Sequence, residues 1–179
     1  HYFIEKETTM IKIPQPAMVL NSANAPEPHY KMWNTRRVES AEDPEWVMRN
    51  VASVARSTQS GKLVSLVINS HGCGARIGLG LGIDRINVSR VFSHINGLIS
   101  GAIYIVACRV AEIRGAAGDG NLLCCEICKT SNAYVYAPTA SQYVGPIDRI
   151  LLGYGEIDDY EGNVYLYKPP LGSCVLSTI

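Results

Sequence analysis

His71 and Cys108 each stand just beyond an apolar run. Residues 63–68 lead through Asn69-Ser70 into His71-Gly72, and residues 102–107 lead directly into Cys108. These are the residue types of nucleophilic catalysis. A thiol attacks poorly until it is deprotonated, and an imidazole within reach takes that proton or stabilises the thiolate. Gly72, with no side chain in the way, offers a backbone N–H to an oxyanion forming on the attacked carbonyl. If the two runs are neighbouring strands of a parallel sheet, base, nucleophile and oxyanion donor meet at its carboxyl edge, where such sheets bind ligands. Singly, a histidine or a cysteine at a strand end is usually structural; the argument rests on the pair.

The rest of the chain must position them. Residues 17–20 are a short apolar run ending in Asn21, and residues 21–43 read as a long loop. Asp43-Pro44 is a helix start, with an acidic cap and proline in the first turn. Trp46, Val47, Val51, Val54 and Ala55 follow at helical spacing, and Gly61 stops the helix. Residues 63–68, nearly all apolar, fit a strand covered on both faces. A glycine-rich stretch, 74–82, reads as a small hairpin. Helices are expected over 88–98 and 120–131, and strands over 102–107 and 133–137. This alternation of strand and helix implies right-handed crossovers and a mostly parallel sheet with helices on both faces. Residues 1–16 read as an extended lead-in and 17–179 as one domain. Its tail, 164–167 after a turn at 158–162, is β-hairpin-like.

Composition narrows the classes. The chain has 179 residues, with 16 Lys+Arg against 16 Asp+Glu and 47% hydrophobic residues. Zero net charge argues against a basic nucleic-acid binder or a polybasic membrane-surface protein. No apolar run reaches the length of about 18 residues that a membrane helix needs. The polar residues 1–9 are no signal peptide, and the start at His1 fits a truncated or processed piece. Six cysteines in a chain with an ample core read as reduced, and so as belonging to a reducing compartment. Cys125 and Cys128 form a C-x-x-C with no second pair and no nearby histidine, which favours packing over zinc. Residues 78–82 lack the pattern of a phosphate loop. No metal or cofactor is expected.

Ser70-His71-Gly72 after one strand, then Val106-Ala107-Cys108-Arg109 after another, resembles the caspase-like (clan CD) superfamily of cysteine peptidases. The caspase pattern is Q-A-C-[RQG]-G with its histidine about 50 residues upstream. This chain keeps Ala107-Cys108-Arg109 but has Val106 for the Gln, Val110 for the Gly and a shorter gap. Through Gly118-Asp119-Gly120 and residues 133–137 it is more similar to bacterial CHAT-type, toxin self-processing and related caspase-like domains. The resemblance covers roughly residues 17–140. It implies an α/β three-layer caspase-like sandwich: a mostly parallel central sheet flanked by helices. It also implies a cysteine endopeptidase acting through a thioester acyl-enzyme, with His71 as general base, Cys108 as nucleophile and the Gly72 amide in the oxyanion hole. Specificity would come from loops around Asn21, Val106 and Thr139, which suit a small neutral or apolar side chain.

The short stretch after Cys108 implies a single uncut chain, and the lack of a basic cleft counts against inositol-phosphate-activated toxins. The expected partner is a polypeptide substrate, not nucleic acid or membrane. A bacterial delivery domain or activator would accompany an effector or self-processing module, placed in the cytoplasm or delivered into a target cell's cytosol. Two other readings share the sequence: a catalytically inactive caspase-like binding or scaffold domain, and a cysteine hydrolase acting on a non-peptide amide or ester.

Overall fold

The computed structural model describes residues 9–114, 118–142 and 152–179. At its centre lies β4 (Leu63–Asn69), where every side chain but Val64 is buried. It pairs in parallel with β2 (Ala17–Ser22) on one side and β7 (Ile99–Val106) on the other. β3 (Asn34–Val38) extends the sheet in parallel beyond β2, and β8 (Tyr134–Pro138) beyond β7. Past β8 the direction reverses: β10 (Val164–Lys168) and β11 (Ser173–Leu176) add antiparallel to their neighbours. The full order is β11-β10-β8-β7-β4-β2-β3. The protein is therefore an α/β fold on a mixed seven-stranded sheet, and the expectation of a mostly parallel sheet is corrected at the β10–β11 end. Between β10 and β11 only residues 169–172 intervene, too few for the long crossover that parallel neighbours need, so these two strands pair antiparallel.

Three helices supply the crossovers among the described residues. α1 (Pro44–Ser57) starts as expected: the Asp43 carboxylate accepts from the Glu45 N–H at 2.9 Å, and Pro44 fills the first turn. Its buried stripe is Val47, Met48, Val51, Ala52 and Ala55. α2 (Val88–Ser93) ends earlier than the spacing suggested; a turn through Gly97, at φ +72°, delivers the chain to β7. α3 (Gly120–Ser131) is capped by Asp119 through the Leu122 N–H at 3.2 Å and ends on left-handed Asn132.

All three pack on one face of the sheet, in a core with Met18, Leu20, Leu66, Ile68, Ile103, Ile105, Val135 and Tyr167. The other face is covered by Ile13, Tyr30, Met32, Ile157 and Tyr160, from segments without helix. Among the described residues the helices thus lie on one face, and strand order explains it. The crossovers β3 to β4, β4 to β7 and β7 to β8 all step the same way across the sheet, so right-handedness puts their helices on one side. The β2-to-β3 connection steps the opposite way and lies on the other side.

Two further elements depart from the sequence reading. The expected loop at 21–43 contains β3, an edge strand whose sequence, Asn-Thr-Arg-Arg-Val, buries only Val38 and so carries no apolar run. The lead-in contains β1 (Met10–Lys12), which pairs antiparallel with β9 (Glu156–Asp158), so the hairpin of the tail is β10–β11. The glycine-rich segment forms the small hairpin β5 (His71–Cys73) and β6 (Arg76–Gly78), one turn earlier than expected.

Glu45 joins α1 to α2, accepting from His94 Nε2 at 3.1 Å and Arg90 Nε at 2.6 Å. Those two hydrogen bonds, His94 first, hold its carboxyl below the ordinary value of 4.5. A carboxyl depressed in the folded state adds stability that is complete above its unfolded pKa and is lost as pH falls through the folded one. Glu45→Gln should therefore lower Tm at pH 6–7 and converge on the wild type below about pH 3, read by thermal melts across pH.

Candidate active site at the carboxyl ends of three parallel strands

Register sets the site. Asn21, Asn69 and Val106 form the last matched row across β2, β4 and β7. Connections leave β2 and β4 in opposite directions, so the crevice beyond this row is the switch point where open α/β sheets bind ligands. Beyond the row come Asn24, His71 and Cys108.

The β2 end is fixed by a buried amide. Asn21 Oδ1 accepts from Asn69 Nδ2 at 2.8 Å and from the Tyr30 N–H at 3.2 Å, while its Nδ2 donates to the Tyr30 carbonyl at 2.9 Å. The segment between Asn21 and Tyr30 is thereby held across the crevice. Its Asn24 carbonyl meets His71 Nε2 at 2.6 Å. A carbonyl only accepts, so Nε2 carries the proton and Nδ1 is left as the basic nitrogen. The imidazole itself is exposed to solvent.

Gly72 lies directly on the cysteine loop. A Cβ there would stand 2.9 Å from the Cys108 carbonyl oxygen, the Ala107 Cβ and a Val110 methyl. In the β5–β6 ladder Gly72 faces Ile77, whose N–H and carbonyl are both taken by Ile83 at 2.9 Å. That pair is thus the non-hydrogen-bonded type, and the Gly72 N–H points out of the hairpin.

Cys108 follows β7 and is half-buried. The next residue, Arg109, sits in the left-handed region at φ +50°, a conformation a side-chain-bearing residue keeps only when its surroundings impose it. They do: the Arg109 N–H donates to Ala140 O at 3.0 Å, the Ala111 N–H to Pro138 O at 3.0 Å and the Ala75 N–H to Val110 O at 3.3 Å. The sulfur accepts from the Gln142 N–H at 3.3 Å and donates to the Gln142 carbonyl at 3.7 Å. Gln142 is itself anchored: its Oε1 accepts from the Glu161 N–H at 2.9 Å, and its Nε2 donates to Ala140 O at 3.0 Å and Glu161 O at 3.1 Å. His71 and Cys108 are therefore brought to the carboxyl ends of adjacent strands without being hydrogen-bonded to each other; each has a backbone partner instead.

The residues expected to bind substrate are placed differently from one another. Asn21 is 1% exposed with its amide fully engaged, so it shapes the crevice by holding its wall. Val106 is buried among Val19, Val67 and Tyr104 on the face away from the helices. Thr139 is half-buried on the far side of Cys108, its N–H and hydroxyl both donating to Asn163 O, at 3.0 and 3.2 Å. The residues that composition and spacing did not reveal are Asn24, Asn69 and Gln142. Asn69 had a signal, because an asparagine ends each of two consecutive apolar runs; the other two contribute backbone atoms and had none.

Among the described residues no cluster of three or more His, Cys, Asp or Glu side chains could hold a metal, and no helix is long and apolar enough to cross a membrane. Cys124 and Cys128 of the C-x-x-C region pack in the core. His94 bonds Glu45 between α1 and α2, and His29 bonds the Ala25 carbonyl at 3.2 Å within the segment between Asn21 and Tyr30. The alternating tyrosines divide between faces. Tyr167 is buried under α3, while Tyr134 and Tyr136 line an apolar cavity of about 280 Å³ with Tyr104, on which Tyr136 stacks at 5.1 Å. No family model matches the chain, and no curated protein matches its sequence.

The Gly72 contact makes a direct prediction. Gly72→Ala forces the β5 strand off the cysteine loop and should destabilise the fold by about 1–3 kcal/mol, the usual range for overpacking. A lowered urea midpoint at unchanged m-value is the expected reading.

Proposed function

We propose that the chain is a cysteine endopeptidase of the caspase-like superfamily, with a His71–Cys108 dyad on a caspase-like sandwich. The observation that carries this reading is the placement of both residues immediately beyond a matched row of adjacent parallel strands, with the imidazole already oriented by a third group, the Asn24 carbonyl. Nucleophile, base and orienting group are the parts that activated thiols share.

The chemistry then runs as follows. Cys108 exchanges its contacts with Gln142 for His71 Nδ1, which takes the thiol proton; catalytic hydrogen bonds are often made only once substrate is bound. The thiolate attacks the substrate carbonyl, and the outward Gly72 N–H donates to the oxyanion. Protonated His71 gives its proton to the leaving amine, and water admitted to the same imidazole hydrolyses the thioester. Thr139 and the wall held by Asn21 flank the substrate on either side, with Val106 beneath. The proposed substrate is a polypeptide, and the proposed setting is a bacterial effector or self-processing module acting in a cytosol. No cofactor enters the mechanism.

One observation favours a second reading, an inactive binding domain on the same fold: in this structure the thiol and the imidazole each bond backbone groups rather than one another. Iodoacetamide labelling at pH 6.5, with peptide mapping of every cysteine, separates the two. An activated thiol gives Cys108 labelling at least about tenfold faster than an ordinary thiol of pKa near 8.5, with the advantage abolished in His71→Ala. Turnover of a peptide library should be lost in Cys108→Ala with Tm nearly unchanged. Equal labelling of Cys108 and Cys125 would favour the binding domain.

A further inference from the structure

Four cysteines that the dyad does not use gather at one seam of the molecule. Cys124, Cys125 and Cys128 lie on α3, and Cys174 lies on β11. Cys174 is paired with Tyr167 across β10 and β11, and directly opposed residues point to the same face of a sheet. That face is the one on which Tyr167 packs beneath α3, its hydroxyl donating to Asn121 Oδ1 at 2.9 Å, with the thiols of Cys124 and Cys174 in its neighbourhood. The turn between β10 and β11 closes over the helix. A Cβ on Gly172 would stand 2.6 Å from the Cys125 sulfur, which also donates to the Leu171 carbonyl at 3.7 Å.

Three of the four thiols sit on one helix; Cys125 and Cys128, at i and i+3, are near enough to bridge each other, but Cys128 is sealed in the core. Cys174 is the partner off the helix. Burial pushes up the thiols of Cys124, Cys128 (to about 11) and Cys174 alike, so access is what separates them: Cys124 and Cys128 are wholly buried and shielded from a peroxide. Cys125 is half-buried and Cys174 exposed.

We propose that Cys125 and Cys174 form a redox-modification site, oxidised by a hydroperoxide to an intramolecular disulfide that ties β11 to α3. The Cys174 thiolate attacks one peroxide oxygen, the O–O bond breaks, and the departing hydroxide takes a proton to become water. The sulfenic acid left on Cys174 is then attacked by the Cys125 sulfur; the S–S bond forms as the S–O bond breaks, and the thiol proton leaves with the hydroxyl as a second water. Two thiols and one hydrogen peroxide thus give one disulfide and two waters. The bridge would act at an edge of the sheet: among the described residues β11 is bonded on one side only, by β10, and all four of its residues are exposed.

The test uses the full chain, reduced, desalted, treated with hydrogen peroxide and mapped without reductant. The expected product is an intramolecular Cys125–Cys174 link with a Tm at least about 4 °C higher, reversed by dithiothreitol. Cys125→Ser and Cys174→Ser should each abolish link and shift, while Cys124→Ala keeps both. No bridge, a bridge that survives Cys125→Ser, or a link found only between molecules would overturn the assignment. The result is independent of whether His71 and Cys108 are catalytic.

Discussion

The side-chain amide of Asn21 is the interaction on which the candidate site depends. It lies at the end of β2, almost wholly buried, and meets Asn69 on β4 and both backbone groups of Tyr30. A buried polar group left unpaired costs about 1–3 kcal/mol, so this satisfied set strongly favours one path for the chain. It forces the connection leaving β2 to turn back over the carboxyl ends of the sheet. That path brings the Asn24 carbonyl to His71 and fixes which imidazole nitrogen remains basic. An asparagine first read as part of a specificity pocket is thus a clamp, and its effect on chemistry runs through the loop it holds.

The clamp sits where the topology needs one. β2 feeds a connection that moves outward to β3, whereas β4 and β7 feed connections that move inward toward β8. Chains that part in opposite directions leave a gap, and the gap opens beside His71. On its other side the wall is the loop after β7, pinned to the end of β8 by the N–H groups of Arg109 and Ala111. Gly72 closes the distance between the walls, since the absence of a Cβ lets the β5 backbone rest on the Cys108 carbonyl. Secondary structure, strand order and one glycine together set His71 and Cys108 at the carboxyl ends of adjacent strands, with the residue after His71 resting on the cysteine loop.

Much of this was legible in the residues. Asp43-Pro44 announces α1 because caps act locally, and the runs 63–68 and 102–107 announce β4 and β7 because strands buried on both faces need continuous apolar sequence. β3 was hidden, since an edge strand with exposed arginines lacks that pattern. β1 was hidden because three residues carry no period, and its partner β9 lies far along the chain. The face taken by the three described crossover helices was hidden for a different reason: alternation of strand and helix does not reveal strand order, and strand order decides which face each crossover takes. At the site, residue types pointed to His71, Cys108 and Gly72. Asn24 and Gln142 meet His71 and Cys108 through backbone atoms, which every residue possesses, and the side-chain amide that anchors Gln142 does so to residues whose nearness only the fold reveals.

The two partners of the dyad are held with unequal firmness. Sulfur is a weak donor and a weak acceptor, and Cys108 meets the Gln142 backbone at 3.3 and 3.7 Å. The His71 bond to Asn24, at 2.6 Å, joins stronger hydrogen-bonding groups and uses Nε2, the nitrogen a base does not need. Engaging the dyad therefore requires the thiol to leave its partner but not the imidazole to leave its own. A peptide entering between the Gly72 and Gln142 walls would compete for the same backbone groups that now hold the sulfur. Under the peptidase reading, substrate binding and release of the nucleophile become one event, and a thiol kept on Gln142 until then is shielded from adventitious reaction.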